Sequence, residues 1–220
     1  MPHRLRAPTH PRYRAALALA LAAAPAVAHA DRRETSVHAH LIGGPLALAD
    51  HGQSGSGGWG GLAIRASKAT RNSFQYDTQL TLGYGRASFD AGQFLLGVGT
   101  PMTVPFTVSS QLARLDAGVT LRLGVRWIPT VRLAVGAQAV RRGSPVATAG
   151  GFEFTGDDTA PSSLSANLIG SATVGLDYRM SRRLIVGVAL GATAAVPGVG
   201  DSWREATLIV HAARYWYPRW

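Results

Sequence analysis

The chain has no cysteine, a single lysine (Lys68) and three glutamates, Glu34, Glu153 and Glu205. Without cysteine there are no disulfides and no thiol at the N-terminus to acylate, so an exported chain of this kind is stabilised by packing and hydrogen bonding alone. The scarcity of Lys and Glu argues against a soluble sandwich or lipocalin-like protein, whose water-facing strand positions are normally rich in both. Beyond residue 30 no run of 18 apolar residues occurs, which argues against a membrane-crossing helix. Metalloprotease, phosphate-loop and nucleophile-elbow motifs are absent too.

What is present begins with a targeting segment. Arg4, Arg6, Arg12 and Arg14 form a positive region, Ala15 to Ala28 is an apolar run, and Ala28-His29-Ala30 has the small-x-small pattern that signal peptidase reads. The run is short for a helix that must cross a bilayer, which takes roughly 20 apolar residues. Residues 1–30 therefore read as a cleaved signal peptide, with cleavage after Ala30, and 31–220 as one mature domain. The formal charge is +10, and loss of the four leader arginines leaves +6. No basic run with interleaved aromatics appears, so nucleic acid is not an expected partner. Anionic lipid headgroups suit the exposed arginines better.

Past residue 31 the dominant signal is period two. Phe74, Tyr76, Thr78, Leu80, Leu82 and Tyr84 alternate with Gln75, Asp77, Gln79, Thr81 and Gly83. Leu115 to Trp127, Val131 to Ala137 and Leu164 to Tyr178 repeat the pattern. Each such segment is a strand with one apolar and one polar face. The segments are about as long as a tilted strand needs to cross a bilayer. The polar faces hold Gly, Ser, Thr, Gln and isolated Asp or Arg, a composition that suits a narrow interior.

Strands are predicted near 35–49, 59–69, 73–88, 110–127, 131–140, 164–179, 184–196 and 204–217. Tight turns (70–72, 128–130, 180–183) alternate with longer Gly-rich or polar connections (50–58, 89–110, 141–163, 197–202). Short turns on one side and long loops on the other are the arrangement of outer-membrane barrels, with the short side periplasmic. The fold expected is all-β: an eight-stranded antiparallel up-and-down transmembrane barrel. Ten strands result if Phe94 to Val98 and Val104 to Val108 form a further hairpin. An aromatic girdle is expected from Trp59, Phe74, Tyr76, Tyr84, Trp127, Tyr178, Trp203, Tyr215 and Tyr217, which cluster near predicted strand ends. In the first strand the apolar parity switches between Leu41 and Leu46, around Gly43-Gly44-Pro45, as a bulge would allow.

The signal peptide, the eight strands, the alternating loops and the terminal Trp220 together resemble small bacterial outer-membrane barrels such as the OmpA transmembrane domain, OmpX and the opacity proteins. The resemblance is architectural and covers 31–220. It implies outer-membrane lipid and lipopolysaccharide as surroundings, and the barrel-insertion machinery as a partner during assembly. Tyr215, Tyr217 and Trp220 look like the aromatic ending which that machinery reads, although Pro218 and the spacing depart from it.

Inward faces are expected to carry Arg65, Asp77, Arg114, Asp116, Arg122, Arg126, Arg132, Asp177 and Arg179. Opposite charges confined in so narrow a lumen pair, because an unpaired buried charge is costly. The plain reading is a salt-bridge plug; the alternative is a small polar or anion-preferring channel. His38 and His40 share one face and have metal-ligand spacing, but the sequence shows no third ligand beside them, so no metal or other cofactor is expected. No nucleophile-base pair can be assembled, so no catalytic residue is assigned and a lipid-modifying hydrolase is the minor alternative. Phe152-Glu153-Phe154 in the third long loop is a candidate surface contact. The leading expectation is a non-enzymatic barrel that serves envelope structure or meets surface ligands through its extracellular loops.

Overall fold

The alternating segments become ten strands in the computed structural model, which describes residues 35–50, 53–69, 73–95, 101–149, 152–155, 163–196 and 202–216. These are β1 (Thr35–Asp50), β2 (Gln53–Ala69), β3 (Phe74–Leu95), β4 (Pro101–Arg122), β5 (Trp127–Arg142), β6 (Val146–Ala149), β7 (Phe152–Thr155), β8 (Ser163–Arg179), β9 (Leu184–Ala195) and β10 (Ser202–Trp216). Eight of them close a barrel. The antiparallel circuit runs β1-β2-β3-β4-β5-β8-β9-β10 and returns to β1, with β3 and β4 supplying the pairing that completes it. Closure satisfies the backbone groups of every barrel strand, the condition for crossing hydrocarbon with strands.

Leu62, Leu133 and Val135, each more than 60 % exposed, stand on the outside, while Asp77, Asp116 and Arg132 are almost fully buried inside. A soluble barrel has the opposite polarity. The outer surface is therefore a hydrocarbon-facing one, and the molecule is a transmembrane β-barrel.

The two extra strands are not those expected. Phe94 and Leu95, with Val104 to Val108, simply prolong β3 and β4, which are 22 residues long each. The register slips once between Phe89 and Gly92, a bulge that bends the prolonged arm. The added hairpin is β6–β7, inside the third long connection, and β6 pairs only with Phe106 and Thr107 of β4. It stands outside the barrel circuit. The remainder of the expected 94–98 segment lies outside the described residues.

Three boundaries also differ. β2 starts at Gln53, so most of the predicted first loop is strand. The turn predicted at Ile128-Pro129-Thr130 instead occupies 123–126, where Gly124 has φ +96°. That left-handed conformation is one that glycine adopts without a Cβ clash. Pro129 is accommodated in β5 because its carbonyl accepts from the Leu123 amide. Its missing N–H therefore points to the same side, past the last β4–β5 ladder pair at Arg122 and Thr130. In β1, the registers on both sides run on without a shift from Thr35 to Ala49. Even-numbered residues face inward throughout, so no bulge exists at Gly43-Gly44-Pro45. What changes there is the chemistry of the lumen, from Ser36, His38 and His40 below to Ile42, Leu46 and Leu48 above.

Candidate functional site

The lumen is layered. At the long-loop end, Ile42, Leu46, Leu48, Trp59, Phe89, Leu112, Val140 and Trp203 form one buried apolar cluster. At the short-turn end Ile128, Ile185, Ala213 and Tyr215 form a smaller one. Between them lie the charges.

Arg132 is the centre of that middle layer. From β5 it donates to Asp77 of β3 through both Nε (2.8 Å) and Nη2 (2.6 Å), and also to Asp116 of β4. Thr120 Oγ1 donates to the second Asp77 oxygen at 2.8 Å. These four residues come from three adjacent strands with inward parity, so the ladder register alone brings them together. Nearer the apolar cluster, Arg114 pairs with Glu205 at 2.7 Å and donates to Gln138 at 3.1 Å. Trp203 Nε1 donates to the other Glu205 oxygen at 2.7 Å, and Arg114 lies over the Trp59 ring. Arg65 donates to Gln79 at 3.1 Å. Arg122 lies 3.8 Å from Asp177 and over the Tyr215 ring. Thus Arg65, Arg114, Arg122 and Arg132 face Asp77, Asp116, Asp177 and Glu205 inside the barrel. A buried charge without such a partner would be severely destabilising. Arg179 is half-buried at the short-turn end.

Arg126 is a correction. It was expected on the inward face because the fourth strand was extended to 127. The strand stops at Arg122, and Arg126 sits exposed in the turn, donating from Nε and Nη2 to the Tyr178 hydroxyl at 3.1 and 2.7 Å. Three girdle residues are corrected in the same way. Trp59, Trp203 and Tyr215 are 6 %, 1 % and 1 % exposed and point inward. Their parity is that of the lumen-lining residues, and proximity to a strand end said nothing about face. Phe74, Tyr76, Tyr84 and Trp127 are on the outside, with Trp216 alongside. Tyr178 is half-buried, its ring 4.7 Å from that of Trp127. Tyr217 and Trp220 lie outside the described residues.

His38 and His40 both point inward, and the structure brings His211 of β10 directly opposite His40 in the ladder. The ring centroids of the three histidines are 5.0 to 5.9 Å apart. In the sequence His211 is an isolated strand histidine with no His-x-Ser motif beside it, although Leu208, Val210 and Trp216 on the other parity mark its side as the inner one. His211 Nε2 meets Asp177 at 3.0 Å. Gly187 makes room for this pair, since a Cβ there would stand 2.7 Å from the His211 ring. His38 Nε2 lies 3.0 Å from Ser36 Oγ and 3.2 Å from Ser67 Oγ. Serine, histidine and aspartate therefore all occur here, but Asp177 engages His211 while the serines engage His38, so no single relay is formed. Among the described residues no group of three ligand-type side chains is arranged to hold a metal ion.

Neither a family model nor a curated protein matches the sequence. Solved structures do resemble the fold. Ail, the attachment invasion locus protein of Yersinia pestis, solved with the heparin analogue sucrose octasulfate, is 10 % identical, with 84 % of this chain and 100 % of that one covered and a TM-score of 0.49. Neisserial surface protein A is 11 % identical over 82 % and 96 %, with a TM-score of 0.46. The outer membrane protease OmpT of Escherichia coli is 6 % identical over 86 % and 97 %, with a TM-score of 0.34. The likeness is one of architecture alone.

Proposed function

We propose that the chain is a non-enzymatic protein of the bacterial outer membrane, a closed barrel that displays a projecting sheet for contact with surface ligands. The carrying observation is the pairing of a filled lumen with overlong β3 and β4. The upper lumen is occupied by large apolar side chains, Trp59, Phe89 and Trp203 among them. Below them Arg114 and Arg132 are held by carboxylates, Arg122 lies near Asp177 and Arg65 is held by Gln79, an arrangement that favours a plug over an open selectivity path. Meanwhile 22 residues at about 3.3 Å each give a strand of roughly 70 Å, and a tilt of about 40° leaves roughly 55 Å of height against an apolar band of about 25 Å. β3 starts at the short turn, so the excess all rises on the long-loop side.

There the luminal cluster continues into the prolonged arm, where Phe89 stacks on Phe106 at 4.7 Å and Phe106 also packs against the small Val104–Ala147 cluster shared with β6. A folded ledge of this kind supports recognition better than a bare loop does. Lipopolysaccharide, host molecules and envelope partners are the ligands that suit an outer-membrane surface. Residues 1–30 act on this reading as the export signal, cleaved after Ala30, and the insertion machinery assembles the barrel.

Three measurements test the reading. Planar-bilayer recordings of the refolded protein should show no steady open level, and substituting Trp59, Leu112 and Trp203 together by alanine should create one. A steady level in the unaltered protein would make it a channel. Lipid A from cells with and without the protein should have identical masses; a change would make it a hydrolase. Adhesion of expressing cells to immobilised host glycans or envelope fractions should fall when 146–155 is removed, and undiminished adhesion would remove the ledge from the proposal.

A further inference from the structure

One concavity lies on the outside of the barrel. It is an apolar groove of about 680 Å³ near the short-turn end. Its floor is a single ladder row across the sheet: Tyr178 pairs with Val186, Val186 with Ala212, and Ala212 with Ala39. The row is low because Ala212 and Ala39 are small. Trp127 closes it at one end and Leu62 at the other, both at least 60 % exposed. A barrel exterior is normally convex, and this trough follows from the size pattern of its outward side chains.

Among the described residues, the charges along the edge of the groove toward the short turns are all basic. Arg126 adjoins Trp127 and is held by two hydrogen bonds to the Tyr178 hydroxyl. Arg214 stands two residues beyond Ala212 on β10, over the Trp216 ring. Arg182 and Arg183 occupy the exposed turn between β8 and β9, midway along the arc. Among the described residues no carboxylate stands on this rim, and the nearest in sequence, Asp177, is buried on the inward face. The lumen pairs its charges; the rim leaves these cations to be matched from outside.

We propose that this is a phospholipid site: one acyl chain lies in the groove and the phosphate of an anionic glycerophospholipid sits on the arginine rim. The proposal rests on the membrane orientation given above, in which the short turns meet the periplasmic leaflet. Aromatic rings beside arginines at the headgroup level fit such a ligand, and the guanidinium fork matches phosphate oxygens.

The test uses the full mature barrel in detergent micelles containing equimolar phosphatidylglycerol and phosphatidylcholine, read by native mass spectrometry. One phosphatidylglycerol per barrel should be retained, about ten-fold over phosphatidylcholine, whose phosphate is the same but whose choline cation is repelled by the arginine rim. Arg126→Gln with Arg214→Gln should erase that preference. Ala212→Trp, which fills the trough and leaves the rim intact, should reduce retention of both lipids. Equal retention of the two lipids, undiminished phosphatidylglycerol in both variants, or a second copy of the chain bound in place of lipid would each overturn the site. Heat-modifiable gel migration of every sample keeps this separate from the fold: loss of that shift sinks the barrel reading, whereas a folded barrel that ignores phosphatidylglycerol sinks only the site.

Discussion

At the scale of single residues, burial decides what a charge is worth. Arg132 and Arg126 were indistinguishable in the alternating pattern, yet one is clamped between Asp77 and Asp116 and the other is exposed in a turn. Arg132→Met should cost about 3–5 kcal/mol of stability, because two carboxylates lose their partner inside a narrow lumen. Arg126→Gln should change stability by no more than about 0.5 kcal/mol. Urea unfolding in lipid vesicles measures both, and equal losses would contradict the assigned faces. Gly187 is a second case. Replacing it with valine puts methyl groups where the His211 ring and Asp177 meet, so a loss of about 1–3 kcal/mol is expected in the same assay. Parity predicted which residues share a side, but the contact between Gly187, Asp177 and His211 joins three strands and appears only once the registers are fixed.

At the scale of elements, strand lengths separate the membrane part from the part above it. β9 has 12 residues, close to the minimum for a tilted crossing, whereas β3 and β4 have 22. The β6–β7 hairpin touches the rest of the sheet through one short pairing to β4. Deleting 146–155 should therefore leave the barrel's heat-modifiable migration and its circular dichroism minimum unchanged, with unfolding midpoints within experimental error of the parent. A collapse of the barrel would show that the hairpin belongs to its core. The prolonged arms were half-visible in the sequence: Phe94 and Val104 to Val108 read as strand-forming, but alternation cannot say whether an apolar pair starts a new hairpin or continues an old one. The turn at 123–126 was misplaced for a related reason. Proline is the louder signal, yet it is Gly124 that takes the left-handed conformation, and Pro129 fits where a donor was not needed.

At the scale of the whole molecule, the barrel inverts the polarity of a soluble fold and then fills its own interior. The outer apolar surface requires bilayer or detergent. The purified barrel should fold only in their presence, and a monodisperse folded monomer in plain buffer would contradict the structure's outward-facing leucines and valines. Thinning the apolar cluster should increase ion flux, while Arg65→Gln or Arg114→Gln alone should leave the barrel shut, because the aromatic layer blocks the path irrespective of the charge beneath it. Single-channel recording distinguishes the two.

The amino-acid sequence by itself determined the all-β class, the even strand number, the side of the barrel with short turns and which charges share a strand face, because a two-residue period and its breaks are local properties of the chain. It could not determine where the lumen changes from polar to apolar, that Trp59, Trp203 and Tyr215 turn inside, that His211 joins His38 and His40, or that a groove lies on the outer wall. Those depend on which residues of different strands share a ladder row, and register is set by closure of the whole sheet and not by any one strand.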